Sequence, residues 1–140
     1  MKITIFFPLV LSIFAFSACQ SASTQKAENM PSPIASDEIK QMTVTEAKQA
    51  IDAKDVQFID VRTAGEYADG HAPKTMNFPL DSLENDLAKL DKDKPIYVIC
   101  QTGRRSQKGS EVLQKVGFNK IYNIKGGTSA WQNAGFPTEK

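Results

Sequence analysis

Residues 95–118 read PIYVICQTGRRSQKGSEVLQKVGF, and this stretch decides the fold. The run IYVI is apolar without alternation, which favours a strand covered on both faces, as in a parallel sheet. Cys100 ends this strand, a polar turn with Gly103 follows, and SQKGSEVLQKV then predicts a helix that stops at Gly117. A strand that leads into a helix is the unit of an α/β domain, in which ligands bind at the carboxyl ends of the strands. Cys100 lies at such an end.

The rest of the chain repeats these two kinds of element. A Thr43–Glu46 capping box predicts a helix in MTVTEAKQAI, and the regularly spaced leucines of LDSLENDLAKL predict a helix that packs on the core. Further strands are predicted in VQFIDVR and KIYNI, and short helices in TAGEYADGH and SAWQNAG. The predicted fold class is therefore α/β, with a small, mostly parallel sheet flanked by helices.

Composition limits the range of partners. The 140 residues include 17 Lys+Arg and 16 Asp+Glu, a formal net charge of +1 at pH 7, and the two signs are interspersed. Such a balance is typical of a solvated surface and argues against nucleic-acid binding, which a basic field would favour. We expect a monomer without a nucleic-acid partner.

The first residues predict export. A basic start is followed by ITIFFPLVLSIFAF, an apolar run too short to span a bilayer comfortably. The run ends in FSAC and resembles a bacterial lipoprotein signal, in which cleavage before Cys19 is coupled to lipidation of its thiol, although Phe16 stands where leucine is usual. The alternative is an ordinary secretory peptide cut near Ala18 or Ala22. We expect a signal peptide over residues 1–18.

Residues 19–41 are rich in Ser, Ala, Gln and Pro and predict a flexible tether, with a folded domain over residues 42–140. The expected location is the bacterial cell envelope, on the periplasmic face of a membrane, and Gln20 is compatible with the outer membrane. If Cys19 is acylated, Cys100 is the only free thiol of the mature chain. A lone thiol in an oxidising compartment is either well buried or present for its reactivity.

The turn after Cys100 has the features of an anion-binding loop. Backbone N–H groups converge where a strand turns into a helix, and Gly103 permits the backbone angles of a tight loop. Two arginines add positive charge, which lowers the pKa of a nearby thiol and attracts a small anionic substrate. We therefore predict Cys100 as a nucleophile. The predicted substrate-binding residues are Gln101, Thr102, Gly103, Arg104 and Arg105.

Other cysteine chemistries match the sequence less well. A thioredoxin-type pair needs a second cysteine where Gly103 stands, and a zinc site needs about four ligands although His71 is the only histidine. A pair of Cys100 with His71 stays open, but the spacing does not demand it, and a turn or packing role for His71 is favoured. We expect no metal and no cofactor.

Three segments carry a family resemblance: FIDVRTAGEYADGHAPKTMNFP, IYVICQTGRRS and NIKGGTSAWQNAGFP. In this order and spacing the domain resembles a single-domain rhodanese, a thiosulfate-type sulfurtransferase. The likeness runs from about Met42 to Pro137. It departs from the family in HAPKTMNF, where Ala72, Lys74 and Thr75 replace an aliphatic residue and Gly-Ala, so local packing is in question there.

The resemblance implies roles for individual residues. Cys100 becomes a persulfide, and the amides of residues 101–105 surround its sulfur. Arg105 matches the family's more regular arginine, so we expect it, rather than Arg104, to face the pocket. Trp131 is expected in the core.

Near the first segment, the resemblance implies a structural polar pair of Asp60 and Arg62. Arg62 is further expected to pair with Glu66, which lies one helical turn on.

The implied reaction transfers a sulfane sulfur from thiosulfate, or a related small anionic donor, to a thiol or to cyanide. One rival is a cysteine-dependent phosphatase, which needs arginine six positions after the cysteine, where this chain has Ser106. The other rival is a non-enzymatic sulfur carrier or a partner-binding module on the same fold.

Overall fold

The structure is a computed structural model that describes residues 38–53 and 55–140. The predicted signal peptide, the lipidation site Cys19 and most of the predicted tether lie outside these residues. Within them, no helix is both long enough and apolar enough to cross a membrane. Strands and helices alternate as follows: β1 (Lys40–Met42), α1 (Val44–Ala50), β2 (Gln57–Asp60), α2 (Ala64–Asp69), β3 (Met76–Asn77), α3 (Leu83–Asp86), β4 (Ile96–Ile99), α4 (Arg104–Lys115), β5 (Ile121–Ile124) and α5 (Gly127–Asn133).

The strands form one sheet in the order β1-β5-β4-β2-β3, and every neighbouring pair is parallel. This confirms the predicted α/β fold. Because β4 is the central strand, Cys100 emerges in the middle of the carboxyl edge of the sheet. That is the edge at which parallel sheets bind ligands.

Both faces of β4 are covered, which explains its unbroken apolar sequence. Ile96 and Val98 point into a cluster on the α4 side that also contains Cys100 and Leu113. Ile99 points to the opposite face, into the cluster that contains Trp131 of α5. Cys100 therefore lies on the same side of the sheet as α4, whose N-terminus begins four residues later.

The leucine-rich helix is shorter than predicted. α3 ends at Asp86, whose φ of −105° and ψ of 3° leave the helical region, and a 3-10 turn over Leu87–Lys89 follows. The predicted packing is nevertheless present, because all the leucines of this segment contact the α4-side cluster. The buried ones are Leu83 and Leu90, and the partly buried ones are Leu80 and Leu87.

Two edge strands were missed because they span three and two residues, too few to show alternation. β1 pairs with β5, so Lys40 and Gln41 belong to the sheet although the sequence analysis assigned them to the tether. The folded domain therefore begins before residue 42.

Candidate active site

The start of α5 holds the loop that follows Cys100. The N–H of Thr128 donates to the carbonyl oxygen of Cys100 at 2.7 Å, and the N–H of Ser129 donates to that of Gln101 at 3.0 Å. The Gln101 side chain also donates to the Ser129 hydroxyl at 2.8 Å. Because these carbonyl groups are held by α5, the loop N–H groups are left to face the sulfur.

Two glycines make this contact possible. Gly127 has φ of +56°, and a Cβ there would lie 2.1 Å from the Cys100 carbonyl oxygen. Gly103 has φ of +94°, and a Cβ there would lie 3.2 Å from the Gly126 nitrogen. Any other residue at Gly127 would combine left-handed strain with a steric clash, and at Gly103 it would combine the same strain with a tight contact. The loop and the β5–α5 turn therefore pack backbone against backbone.

The sulfur of Cys100 is fully buried and accepts the Gly103 N–H at 3.1 Å. Burial raises the pKa of this thiol, but hydrogen bonds from the Ser106 hydroxyl and from the N–H groups of Ser106, Thr102 and Gly103 lower it more, so the pKa falls below its ordinary value. The Ser106 hydroxyl is buried and makes no hydrogen bond of ordinary geometry. Its interaction with the Cys100 sulfur is therefore weaker than those of the backbone N–H groups. The loop amides are the firmer support for a thiolate.

Asp60 and Arg62 form the predicted polar pair. The Arg62 guanidinium donates to both carboxylate oxygens of Asp60, with the shortest bond at 2.7 Å, and both residues are almost completely buried. Arg62 also donates to the carbonyl oxygen of Gly70 at 2.8 Å and to the Gln101 side chain at 3.2 Å. This pair therefore connects the end of β2 with the end of α2 and with the loop after Cys100.

The expected pair of Arg62 with Glu66 is wrong. Glu66 closes a capping box with Thr63 at the start of α2, and its carboxylate accepts two bonds from Arg105, at 2.6 and 2.7 Å. Arg62 is unavailable because Asp60 holds it in the interior. Glu66 therefore anchors the first turn of α4 to α2.

A small pocket of about 210 Å³ opens beside the loop. Both Arg104 and Arg105 line it, so this pocket does not distinguish the two arginines, and the preference for Arg105 stays a prediction. The Arg105 charge is offset by Glu66, whereas within the described ranges Arg104 and Lys108 make no hydrogen bond or ion pair. The positive charge available to an anion therefore comes from Arg104 and Lys108. The lining residues are Thr102, Arg104, Arg105 and Lys108.

Comparison with known proteins agrees with this geometry. The sequence model of the rhodanese-like domain family matches residues 43–134. The chain belongs to this family. The match includes β2, β4, the loop after Cys100 and the first turns of α5, which are the parts that build the site.

Among the relatives of this rhodanese-like protein is the thiosulfate sulfurtransferase GlpE of Shewanella oneidensis, 33% identical over 95 residues, 68% of this chain and 94% of the relative. A sulfurtransferase of Allochromatium vinosum is 29% identical over 91 residues, covering 65% and 85% of the two chains. A rhodanese-like domain protein from Staphylococcus aureus superposes with a TM-score of 0.62 at 35% identity, covering 66% and 91%. The chain thus belongs to a family of sulfurtransferases.

Two further residues are placed as expected. His71 stacks on Tyr67 with ring centroids 3.7 Å apart, and its Nδ1 lies 3.0 Å from the Tyr67 carbonyl oxygen, a packing role. Trp131 is fully buried and donates to the Pro137 carbonyl oxygen at 2.8 Å. In the segment where the sequence departs from the rhodanese pattern, Lys74 adopts φ of +64°, the region that glycine favours.

Sequence reasoning missed the residues that support the rhodanese loop from other elements. The sequence TAGE predicts a capping box between Thr63 and Glu66, but nothing in the sequence indicates that Arg105 binds the Glu66 carboxylate. Thr128 and Ser129 follow the pair Gly126-Gly127, and no local pattern predicts that their N–H groups bind the loop after Cys100. Ser106 was considered only as the residue that replaces a phosphatase arginine.

Replacing Glu66 with glutamine is expected to lower the free energy of unfolding by about 1 kcal/mol at pH 7, since both partners of the ion pair are 36% exposed and solvent screens them. The Arg105 hydrogen bonds hold the pKa of the Glu66 carboxyl at about 2, below its usual 4.5. A lowered pKa in the folded state contributes stability above pH 4.5, and this stability is lost as the pH falls toward 2. Urea unfolding of both proteins between pH 7 and pH 2 measures the difference.

Glu84→Gln is the matched control for this experiment, because Glu84, like Glu66, lies at the start of a helix, but it is exposed and has no arginine partner among the described residues. Its effect on unfolding should be small at every pH. A stability difference for Glu66→Gln that stays constant down to pH 2 would contradict the ion-pair interpretation.

Proposed function

We propose that this protein moves a sulfane sulfur from thiosulfate, or a related donor, to a thiophilic acceptor through a persulfide on Cys100. The observation that carries the proposal is the environment of the Cys100 sulfur. The sulfur accepts a hydrogen bond from the Gly103 N–H at 3.1 Å, and the pKa of the Cys100 thiol is lowered. The positive charges of Arg104 and Lys108 line the small pocket beside the loop. This environment stabilises a thiolate and then a persulfide anion.

In the first half-reaction, the Cys100 thiolate attacks the outer sulfur of thiosulfate. A bond forms between the two sulfur atoms, the S–S bond of thiosulfate breaks, and its electron pair leaves with sulfite. The total charge of −3 is the same before and after this step, so no oxidant is needed. Since Cys100 is fully buried, the groups that cover its sulfur have to move to admit the donor.

In the second half-reaction, cyanide or a thiolate attacks the outer sulfur of the persulfide. The S–S bond breaks, the electron pair returns to Cys100, and the product leaves as thiocyanate or as a persulfide of the acceptor. The loop N–H groups accommodate negative charge on the inner or the outer sulfur in turn, which suits a two-step exchange.

The buried Ser106 argues against the phosphatase alternative. It occupies the position where that class needs a bidentate arginine, and Arg105, the adjacent residue, is committed to Glu66. We therefore expect no capture of a tetrahedral phosphate at this loop.

The experiment is a mass measurement of the purified protein after exposure to thiosulfate, followed by cyanide. We expect thiosulfate to add one sulfur atom, cyanide to remove it as thiocyanate, and steady-state kinetics to be ping-pong. Loading without turnover would identify a sulfur carrier. No loading by thiosulfate or other sulfane donors, together with hydrolysis of aryl phosphates, would support the phosphatase instead.

We also propose that the domain is exported and anchored by a lipid on Cys19. The short basic start, the apolar run and FSAC support this. Cys19→Ala is expected to release or stall the protein without a loss of sulfur transfer by the domain, which cell fractionation and an assay measure. A soluble mature protein that begins after Ala22 would contradict the anchor.

A further inference from the structure

Gly103 is the loop residue whose N–H donates to the Cys100 sulfur, at 3.1 Å. A hydrogen bond to the sulfur favours the thiolate over the thiol. The φ of +94° and ψ of −9° at Gly103 belong to the left-handed region that glycine enters freely, and glycine has the most backbone freedom of all residues. Gly103 by itself therefore does little to fix the direction of this N–H, and contacts from other elements have to hold it.

Two backbone contacts hold Gly103. Its carbonyl oxygen accepts the N–H of Gln107 in the first turn of α4 at 3.2 Å. Its Cα lies against the β5–α5 turn, where a Cβ would be 3.2 Å from the Gly126 nitrogen. The start of this turn is bound to β1, since the Lys125 N–H donates to the Met42 carbonyl oxygen at 2.8 Å. The backbone of the turn thus connects β1 with Gly103.

A network of side-chain amides makes a second connection. Asn123 of β5 donates from its Nδ2 to the Gln41 side chain at 2.9 Å and to the Gln107 side chain at 3.1 Å. The same Nδ2 donates to the Gly103 carbonyl oxygen at 3.5 Å. Gln41 in turn donates to Gln107 at 2.8 Å, which closes the network. Gln41 and Asn123 share a face of the sheet because they are register partners on β1 and β5.

Asn123 is polar at a position where the sheet favours an apolar residue. It is 3% exposed, and its register partner on β4 is Val98, which belongs to the α4-side cluster. Among the described residues, no donor reaches the Oδ1 of Asn123. A buried carbonyl oxygen without a donor costs free energy, so an aliphatic side chain of similar size would serve stability better. What Asn123 supplies is an N–H that reaches the loop.

We propose that Asn123 and Gln41 are positioning residues for sulfur transfer. Asn123 holds the Gly103 carbonyl group so that the Gly103 N–H is directed at the Cys100 sulfur, and Gln41 holds the Asn123 amide. The proposal rests on the sulfur transfer proposed above. Both residues act through Gly103 and not on the sulfur itself. The strand β1, which directly follows the predicted tether, thereby becomes part of the support of the active site.

The test measures the alkylation of Cys100 by iodoacetamide as a function of pH, because the thiolate is the reactive form. Mass spectrometry of the Cys100 peptide follows the reaction at this residue alone. Asn123→Leu removes the amide and keeps a side chain of similar size. We expect the pH midpoint of alkylation to rise by about half a unit, since a Gly103 N–H that turns away stabilises the thiolate less. Below the midpoint, loading by thiosulfate should slow about threefold, in proportion to the thiolate.

The charged groups on or against the loop are unchanged in these variants, because each substitution exchanges neutral side chains. A moved midpoint therefore reports the loop amides and not a changed charge. These charged groups are Arg104 and Arg105 of α4, Lys125 after β5, Glu66 of α2, and the buried pair of Asp60 and Arg62.

Gln57→Leu is the matched control. Gln57 is also a buried amide of the sheet, but it lies at the start of β2 and exchanges two hydrogen bonds with the Asp91 backbone, at 2.7 Å each. Its loss should lower the midpoint of urea unfolding and leave the alkylation midpoint in place. An unchanged alkylation midpoint in Asn123→Leu, or an equal rise in Gln57→Leu, would overturn the proposal.

Gln41→Ala tests the connection to β1 without a change in the core, since Gln41 is exposed. The alkylation midpoint should rise less than in Asn123→Leu, because water replaces part of what Gln41 supplies. The double variant should behave as Asn123→Leu alone, since both side chains act through one amide. Effects that add in the double variant, or no effect of Gln41→Ala, would overturn the role of Gln41.

Alkylation needs no sulfur donor, so this experiment separates the positioning role from the sulfur transfer. Normal loading by thiosulfate together with one alkylation midpoint for all variants overturns the positioning role alone. Shifted midpoints without loading in any of the proteins, the original chain included, overturn the sulfur transfer.

Discussion

Cys100→Ser is expected to abolish sulfur loading by thiosulfate and to reduce thiocyanate formation at least about 10³-fold. The hydroxyl of serine cannot form a persulfide, and an alkoxide is not accessible at neutral pH even with the loop amides in place. Intact-mass analysis after thiosulfate and a steady-state assay with cyanide measure the two effects. Residual loading at a site other than Cys100 would show that the carrier has been misassigned.

The loss in Cys100→Ser should be chemical and not structural. The substitution replaces the sulfur with an oxygen, and the serine hydroxyl oxygen can also accept the hydrogen bond that the Gly103 N–H donates to the sulfur. Cys100 contributes to the α4-side cluster, so a small decrease in the unfolding midpoint is expected from placing a hydroxyl there. A large loss of folded protein would make the activity result a consequence of unfolding, and circular dichroism distinguishes the two.

Gly127→Ala is expected to have the next largest effect, lowering the free energy of unfolding by about 3 kcal/mol or more and activity by about 10²-fold. The added Cβ would lie 2.1 Å from the Cys100 carbonyl oxygen and 2.7 Å from the Gln101 carbonyl carbon, both backbone atoms that have no room to move. Relief of this clash has to push α5 and the loop after Cys100 apart. The hydrogen bonds that the N–H groups of Thr128 and Ser129 donate to the loop carbonyl groups would then lengthen.

Gly135→Ala isolates the clash from the backbone strain. Gly135 has φ of +71°, close to the +56° of Gly127, but a Cβ there would meet nothing within 4 Å. It should therefore cost about 1 kcal/mol of stability from left-handed strain alone and leave the sulfur-transfer rate unchanged. Similar losses of activity in the two variants would show that the close contact at Gly127 is not what positions the loop.

Local patterns were sufficient for the central unit of the fold. The apolar run of β4, the turn at Gly103 and the helical pattern of α4 are contiguous in sequence, so their order predicted both the parallel sheet and the position of Cys100 at its carboxyl edge. The capping box at Thr43 was also readable, because both of its partners lie within one turn of helix.

The edge strands and the end of α3 were less predictable. β1 and β3 consist of three and two residues, and their strand conformation depends on the neighbours β5 and β2, to which they pair. The leucine spacing of LDSLENDLAKL indicated which side chains are buried, but not that the backbone would leave the helix at Asp86. Periodicity reports the face that is buried more reliably than the length of the element.

By itself, the sequence determined the α/β class and the candidate nucleophile, because these depend on residues that are adjacent or one turn apart, and the family, because three motifs follow one another in a fixed order and spacing. Only the tertiary structure decided that Glu66 holds Arg105, 39 residues away, and that Thr128 holds the carbonyl group of Cys100, 28 residues away. Such contacts depend on strand order and on how closely helices approach the sheet edge, which no local pattern encodes. The distribution of charge at the loop mouth therefore follows from packing, since Glu66 offsets Arg105 and leaves Arg104 and Lys108 facing the pocket.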